Sequence, residues 1–195
     1  MRKRLLDAAV KVIMSRGYLG FTTLEAAKVA GVTRGAVHHH FRNSDGFLLA
    51  ALEHFFAETQ RISERTITHL TKVSEILSAL AADAQRFYFS QGFFAGLDVL
   101  LSATKDARSR MAVRELGNRY RIGNEEMWRD HLVAQGVARR DAETAVWMLL
   151  SIVRGFGIRT MLKHDPARIQ ELIQLELAMV LRFLEERQSF EKKTD

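Results

Sequence analysis

The chain has no cysteine and only one proline in 195 residues. Without thiols it can form no disulfide and use no thiolate nucleophile, and it suits a reducing cytosol. No run of 18 apolar residues occurs, so no membrane span is expected. The opening Met-Arg-Lys-Arg-Leu-Leu-Asp has no long apolar core, so no secretory signal is expected and the anticipated location is cytoplasmic. GxSxG, phosphate-loop, HExxH and dinucleotide fingerprints are all missing. An enzyme is therefore not expected, and neither is a cofactor. The lone proline, Pro166, follows Asp165 and suits the first turn of a helix.

What the chain does have is charge in one place. Residues 1–45 hold eight of its 29 Lys and Arg but three of its 23 acids, a net of +5 out of +6. A phosphate-facing surface needs such an excess, because Lys and Arg displace condensed counterions from a duplex.

The same region contains TTLEAAKVAGVTRGAVHHHF, residues 22–41. Thr22 followed by Glu25 has capping-box spacing, so a helix should begin at Thr23. Leu24 and Ala27 would form its inner face. Gly31 can supply the positive φ of a tight turn. Thr33 can cap a second helix, with Val32 and Val37 inward and Arg34, Gly35, Ala36, His38 and His39 projecting. Two short helices about such a turn make a helix-turn-helix, or an ordinary helical hairpin that never meets DNA.

Residues Leu5–Leu52 resemble the DNA-binding domain of the TetR (tetracycline-repressor-like) family of bacterial regulators. Thr22–Thr23, Ala30–Val37 and His40–Phe41 carry the resemblance. It implies double-stranded DNA as partner, contacted through Thr23, Thr33, Arg34, Gly35, Ala36, His38, His39 and Arg42. Members usually carry Tyr at the place of His38 and Lys at the place of Ser44. Ser44 is expected to cap the fourth helix instead, with Arg42 supplying charge.

Histidines 38–40 do not read as a metal site. Consecutive helical residues diverge by about 100°, whereas ligand pairs on helices stand at i, i+3 or i+4. His40 with Phe41 is expected to pack the helix end against the first helix.

Hydrophobic periodicity predicts an all-α chain of about nine helices. They span about Arg2–Arg16, the helix pair, Ser44–Thr68, Val73–Ser90, Phe93–Thr104, Ala107–Ala134, Asp141–Lys163 and Pro166–Gln188, before a frayed polar tail. Leu48, Leu52, Phe55, Phe56 and Ile62 form the stripe of the fourth. The expected division is a three-helix DNA-binding domain, 1–46, and an effector-binding and dimerisation domain, 47–195. It falls within the fourth helix, so no flexible linker intervenes.

The last two predicted helices carry more apolar surface than one buried face needs. The resemblance implies that they form a four-helix homodimer interface, with Leu149, Ile152, Val153, Leu172, Met179, Val180 and Phe183 as candidates. Inclusion in a monomer core is the other reading. Dimerisation would place two recognition helices about 34–36 Å apart on a pseudo-palindrome.

Phe87, Phe93, Phe94, Leu97, Asp98, Met127, Trp128, His131, Trp147 and Phe156 are candidates to line a cavity for a hydrophobic or aromatic effector. Core packing is the alternative for each ring. Asp98 could instead pair with Arg154 or Arg159, and His131 could be solvated. The expected activity is repression relieved by ligand; a ligand-independent architectural DNA-binding protein is the rival.

Overall fold

The computed structural model describes residues 1–17, 20–102 and 107–191. Among them the chain is helical in nine stretches. In order these are α1 (Arg2–Arg16), α2 (Thr23–Ala30), α3 (Arg34–His40), α4 (Ser44–Ile67), α5 (Val73–Tyr88) and α6 (Gln91–Ser102). A continuous run follows, made of α7 (Ala107–Gly117), a π-helical turn (Asn118–Ile122) and α8 (Gly123–Ala134). Then come α9 (Arg139–Arg159) and α10 (Pro166–Glu191).

The helix ends follow from local chemistry. Thr22 Oγ1 accepts from the Glu25 amide at 3.1 Å, and Thr33 Oγ1 from the Ala36 amide at 3.3 Å. These bonds satisfy amides that a helix start leaves orphaned. Gly31 turns the chain at φ +62° and Gly136 at φ +86°, both in the left-handed region. Asp165 caps α10 through the Arg168 amide, with Pro166 in the first turn as anticipated.

Several local expectations are corrected. Asn43, not Ser44, caps α4: its Oδ1 accepts from the Gly46 amide at 2.7 Å, which makes Ser44 the first helical residue. The run predicted as one helix over 107–134 contains the π-helical turn, which inserts an extra residue and rotates the following face. α9 ends at Arg159 rather than Lys163, and α10 continues through Ser189 to Glu191. The predicted end of α6 at Thr104 lies outside the described residues.

The chain divides into two compact units. The first comprises Met1–Gln60 and Ser90–Ile122. In it α1 packs on α2 and α6, and α2 on α3. Leu5, Ala9 and Val12 of α1 meet a small-residue face of α2, Ala26, Ala27 and Ala30. Leu24 is therefore exposed, contrary to expectation, because the alanine face turns toward α1 and carries Leu24 away. Phe47 is fully buried, stacked on Phe41 at 4.4 Å and edge-on to Phe21 at 5.7 Å. This aromatic knot fastens the exit of α3 to the start of α4. Gly92 lets α6 approach α4 closely: a Cβ there would overlap the Phe55 ring.

The second unit comprises Arg61–Phe89 and Gly123–Asp195. Here α5 packs on α9, α10 and α8, and α9 packs on α8 and α10. A Cβ on Gly157 would stand 2.5 Å from the Tyr88 carbonyl oxygen, so α9 can lie against the end of α5 only with glycine there. α4 is unbroken and supplies residues to both units. Its stripe ends differently from the reading: Ile62 is exposed, while Ser63 and Ile67 are buried.

Candidate functional site

α3 is a short rod held by one buried residue. Val37 is inaccessible, whereas Arg34, Gly35, His38, His39 and His40 are exposed and Ala36 half-covered. Of the other predicted DNA-contacting residues, Thr33 and Arg42 are exposed and Thr23 is half-buried. Val32, expected inward, is also half-buried. The His40 ring lies tilted against Phe41, 6.4 Å between centroids, but His40 stays exposed and only the phenylalanine is buried. Arg34 Nε donates to His38 Nε2 at 3.3 Å, one turn further along the same face.

The local positive charge is more committed than its count implied. Arg4 donates to the Ala30 and Gly31 carbonyls at 2.7 and 2.9 Å, neutralising the C-terminal end of α2. Arg16 and Lys28 both pair with Glu25, at 3.0 and 2.9 Å. Arg2 lies over the Phe41 ring, 5.5 Å from its centroid. These cations lock α1, α2 and α3 together. A second tie joins α1 to α4: His54 Nε2 and Asp7 Oδ1 are 2.6 Å apart. Burial works against the Asp7 charge, but the His54 hydrogen bond and Lys3 prevail and hold its carboxyl below the usual range.

The ten candidate cavity residues separate between the two units. Phe93, Phe94, Leu97 and Asp98 lie half-buried on α6 in the first. Ser90 Oγ caps that helix by accepting from the Phe93 amide at 3.1 Å. Asp98 sits over the turn that ends α1, with Oδ2 3.0 Å from where a Cβ on Gly17 would be. Arg154, one suggested partner for Asp98, instead faces Glu125 at 3.5 Å and lies over the Tyr88 ring.

The other six are in the second unit. Phe87 and Trp128 are buried, and Met127 and Phe156 half-buried. His131 is half-buried, and its Nε2–H donates to the Leu70 carbonyl at 2.7 Å, tying α8 to the segment after α4. Trp147 is 63% exposed and lines no interior. It borders an open hollow of about 570 Å³ along α9 with Arg140, Thr144, Met148 and Ile152.

Inside this unit is a polar network that the sequence reading missed. Asp83 of α5 accepts from Ser63 Oγ at 2.7 Å, from Arg86 at 2.9 Å and from Asn124 Nδ2 at 3.5 Å. Ser63, Asp83 and Asn124 are all buried. Asn124 Oδ1 and Trp128 Nε1, one turn apart on α8, are buried with no partner among the described residues. Glu176 of α10 is 5% exposed with neither carboxylate oxygen paired among the described residues, and burial pushes its carboxyl up to about 7.

Of the candidate interface residues, Leu149, Val153 and Val180 are wholly buried within their own chain, so they belong to its core. Leu172 and Phe183 are half-buried, and Ile152 and Met179 exposed. Beside them Trp147, Ile158 and Leu175 are exposed, so each helix carries a second apolar stripe behind its core-facing one.

The comparisons with known proteins agree with this geometry. Residues 5–51 match the family model described as bacterial regulatory proteins, tetR family. The transcriptional regulator CymR of Pseudomonas putida is 30% identical over 169 residues, covering 87% of this chain and 83% of CymR. A TetR-family regulator of Mesorhizobium loti shares the fold with a TM-score of 0.72 at 17% identity, over 93% of this chain and 95% of that one. A transcriptional regulator of Saccharomonospora viridis, solved in complex with choline, gives 0.70 at 19% identity, over 92% and 94%. None of the helices is long and apolar enough to cross a membrane, among the described residues. The all-helical fold, the helix-turn-helix and the likeness to CymR identify this chain as a member of the TetR family of transcriptional regulators.

Proposed function

We propose that this regulator is a homodimeric repressor that grips a pseudo-palindromic operator with α3 and lets go when a small apolar or aromatic molecule occupies its effector domain. In this reading residues 1–46 bind DNA, and 47–195 bind effector and dimerise. The observation that carries it is the exposure of α3 on all but its Val37 side. A seven-residue helix that spends one side chain on its own core leaves the rest for a major groove.

Arg34 stands at the start of that helix, where a guanidinium can reach a base edge or a phosphate. Arg34→Ala is expected to weaken operator binding by about 1–3 kcal/mol, roughly five- to 150-fold, while leaving the dimer intact. A gel-shift titration beside a sedimentation run checks both. Unchanged affinity would remove Arg34 from the interface.

Two further features support the reading. The apolar stripe of Trp147, Ile152, Leu175 and Met179 is what a self-complementary interface requires. The unbroken α4 offers a rigid element whose tilt a ligand could bias. A ten- to hundredfold preference of ligand for one tilt corresponds to about 1.4–2.7 kcal/mol of coupling, within the common allosteric range. A ligand-independent architectural protein would have no use for unpaired buried polar atoms in its second unit.

A further inference from the structure

The choline complex of a structural neighbour raises the question of which chemistry the effector of this chain carries. Asn124 and Trp128 lie on one face of α8 and are both fully inaccessible. Asn124 Nδ2 donates to Asp83 at 3.5 Å, and its Oδ1 is an acceptor with no donor among the described residues. Trp128 Nε1 is a donor with no acceptor among the described residues. Leaving either unpaired in the interior carries a desolvation penalty.

We propose that Asn124 and Trp128 form a two-point anchor for a hydroxyl group on the effector. The proposal rests on the reading that the chain answers to a small molecule, and it names that molecule's polar group. A hydroxyl donates to Asn124 Oδ1 and accepts from Trp128 Nε1 at once. A carboxylate only accepts, so it leaves Asn124 Oδ1 unpaired and brings a second anion near Asp83. A primary ammonium only donates, so it leaves the indole N–H unpaired. A quaternary ammonium does neither.

Asp83 does not overturn this preference for a neutral guest. Its oxygens already accept from Ser63, Arg86 and Asn124, and the Arg86 guanidinium at 2.9 Å compensates its charge. Phe87, one turn beyond Asp83 on α5, and the Trp128 ring are buried aromatic groups of the same unit. The fitting guest is therefore an apolar or aromatic body bearing a hydroxyl.

Isothermal titration of the full-length protein with matched probes tests this: p-cresol against toluene, and 2-naphthol against naphthalene and 2-naphthoate. The phenol of at least one pair is expected to bind about tenfold or more tightly than its hydrocarbon, and 2-naphthol more tightly than 2-naphthoate. That preference is expected to shrink to within about twofold in Asn124→Leu and in Trp128→Phe. Trp128→Phe keeps an aromatic ring, so the ratio stays readable even if Asn124→Leu fails to fold. Equal binding of phenol and hydrocarbon, a preference that survives in Trp128→Phe, tighter binding of 2-naphthoate, or no binding by any probe overturns the anchor. Operator release by the same probes separates the two layers. Discrimination without release keeps the anchor and removes its regulatory role; release without discrimination keeps the regulator and removes the anchor.

Discussion

Trp147→Glu is expected to convert a dimer into a monomer and to lower operator affinity by at least two orders of magnitude. Trp147 is 63% exposed on α9, and Ile152 follows it along the helix. On α10, Leu175 and Met179 are 56% and 58% exposed. An indole this open contributes little to its own chain's core but is a strong anchor across an interface, where loss of one costs about 2–4 kcal/mol. A twofold interface loses two copies at once, and the glutamates add a desolvation penalty. Operator affinity falls further because a monomer grips one half-site and forfeits the effective concentration that links the two. Sedimentation velocity reads the assembly, and thermal unfolding shows whether the subunit stays folded. A variant that sediments like the parent protein would show that this face is not the contact.

Replacing Glu176 by leucine is expected to stabilise the protein above neutral pH and to flatten its pH dependence. Ile169, Ile173, Val180 and Leu184 share the buried line of α10 with Glu176, whose oxygens have no partner among the described residues. Burial holds its carboxyl near 7 against an ordinary 4.5. Below pH 4.5 the group is protonated in both folded and unfolded chains and contributes no pH-dependent penalty. Between 4.5 and 7 the unfolded chain ionises while the folded one stays neutral, so stability falls as pH rises. Above 7 both are ionised and the penalty levels off at up to about 3 kcal/mol. Leucine removes that slope and adds apolar burial at similar volume. Urea denaturation of parent and Glu176→Leu at pH 5 and pH 8 checks this: the gain should be larger at pH 8. A gain independent of pH would mean that Glu176 finds a partner in solution.

Much of the fold was legible because local rules and tertiary packing agree in it. Thr22, Gly31, Thr33 and Pro166 act where capping and turn chemistry put them. The misplaced apolar residues have one physical source: an apolar residue on a helix does not say which of two faces is inward. Trp128 and Trp147 read alike in the sequence, yet the first continues the buried line of Asn124 and Leu132. The second faces away from the line of Ala142, Val146, Leu149 and Val153. Leu24 lost to the small-residue face of Ala26, Ala27 and Ala30 for the same reason. Ser44 lost the cap to its neighbour because the capping side chain must precede the first helical residue, and Asn43 does.

The buried polar network was missed although its signal was present. Asp83 interrupts the apolar line Ile76, Leu80, Phe87, and Glu176 interrupts Ile173, Val180. A charged residue at an apolar helical position implies either a partner or a task, and only the structure separates these. Asp83 has partners; Glu176 has none among the described residues.

The claim on which the account depends is that α3 reads DNA as one half of a twofold pair. Selection of bound duplexes from a random pool by the purified protein tests it most directly. The account predicts an enriched pseudo-palindrome whose half-sites lie one helical turn apart, about 10–10.5 base pairs, or a multiple of that. An enriched site without dyad symmetry, or a bound pool with no shared sequence, would contradict it.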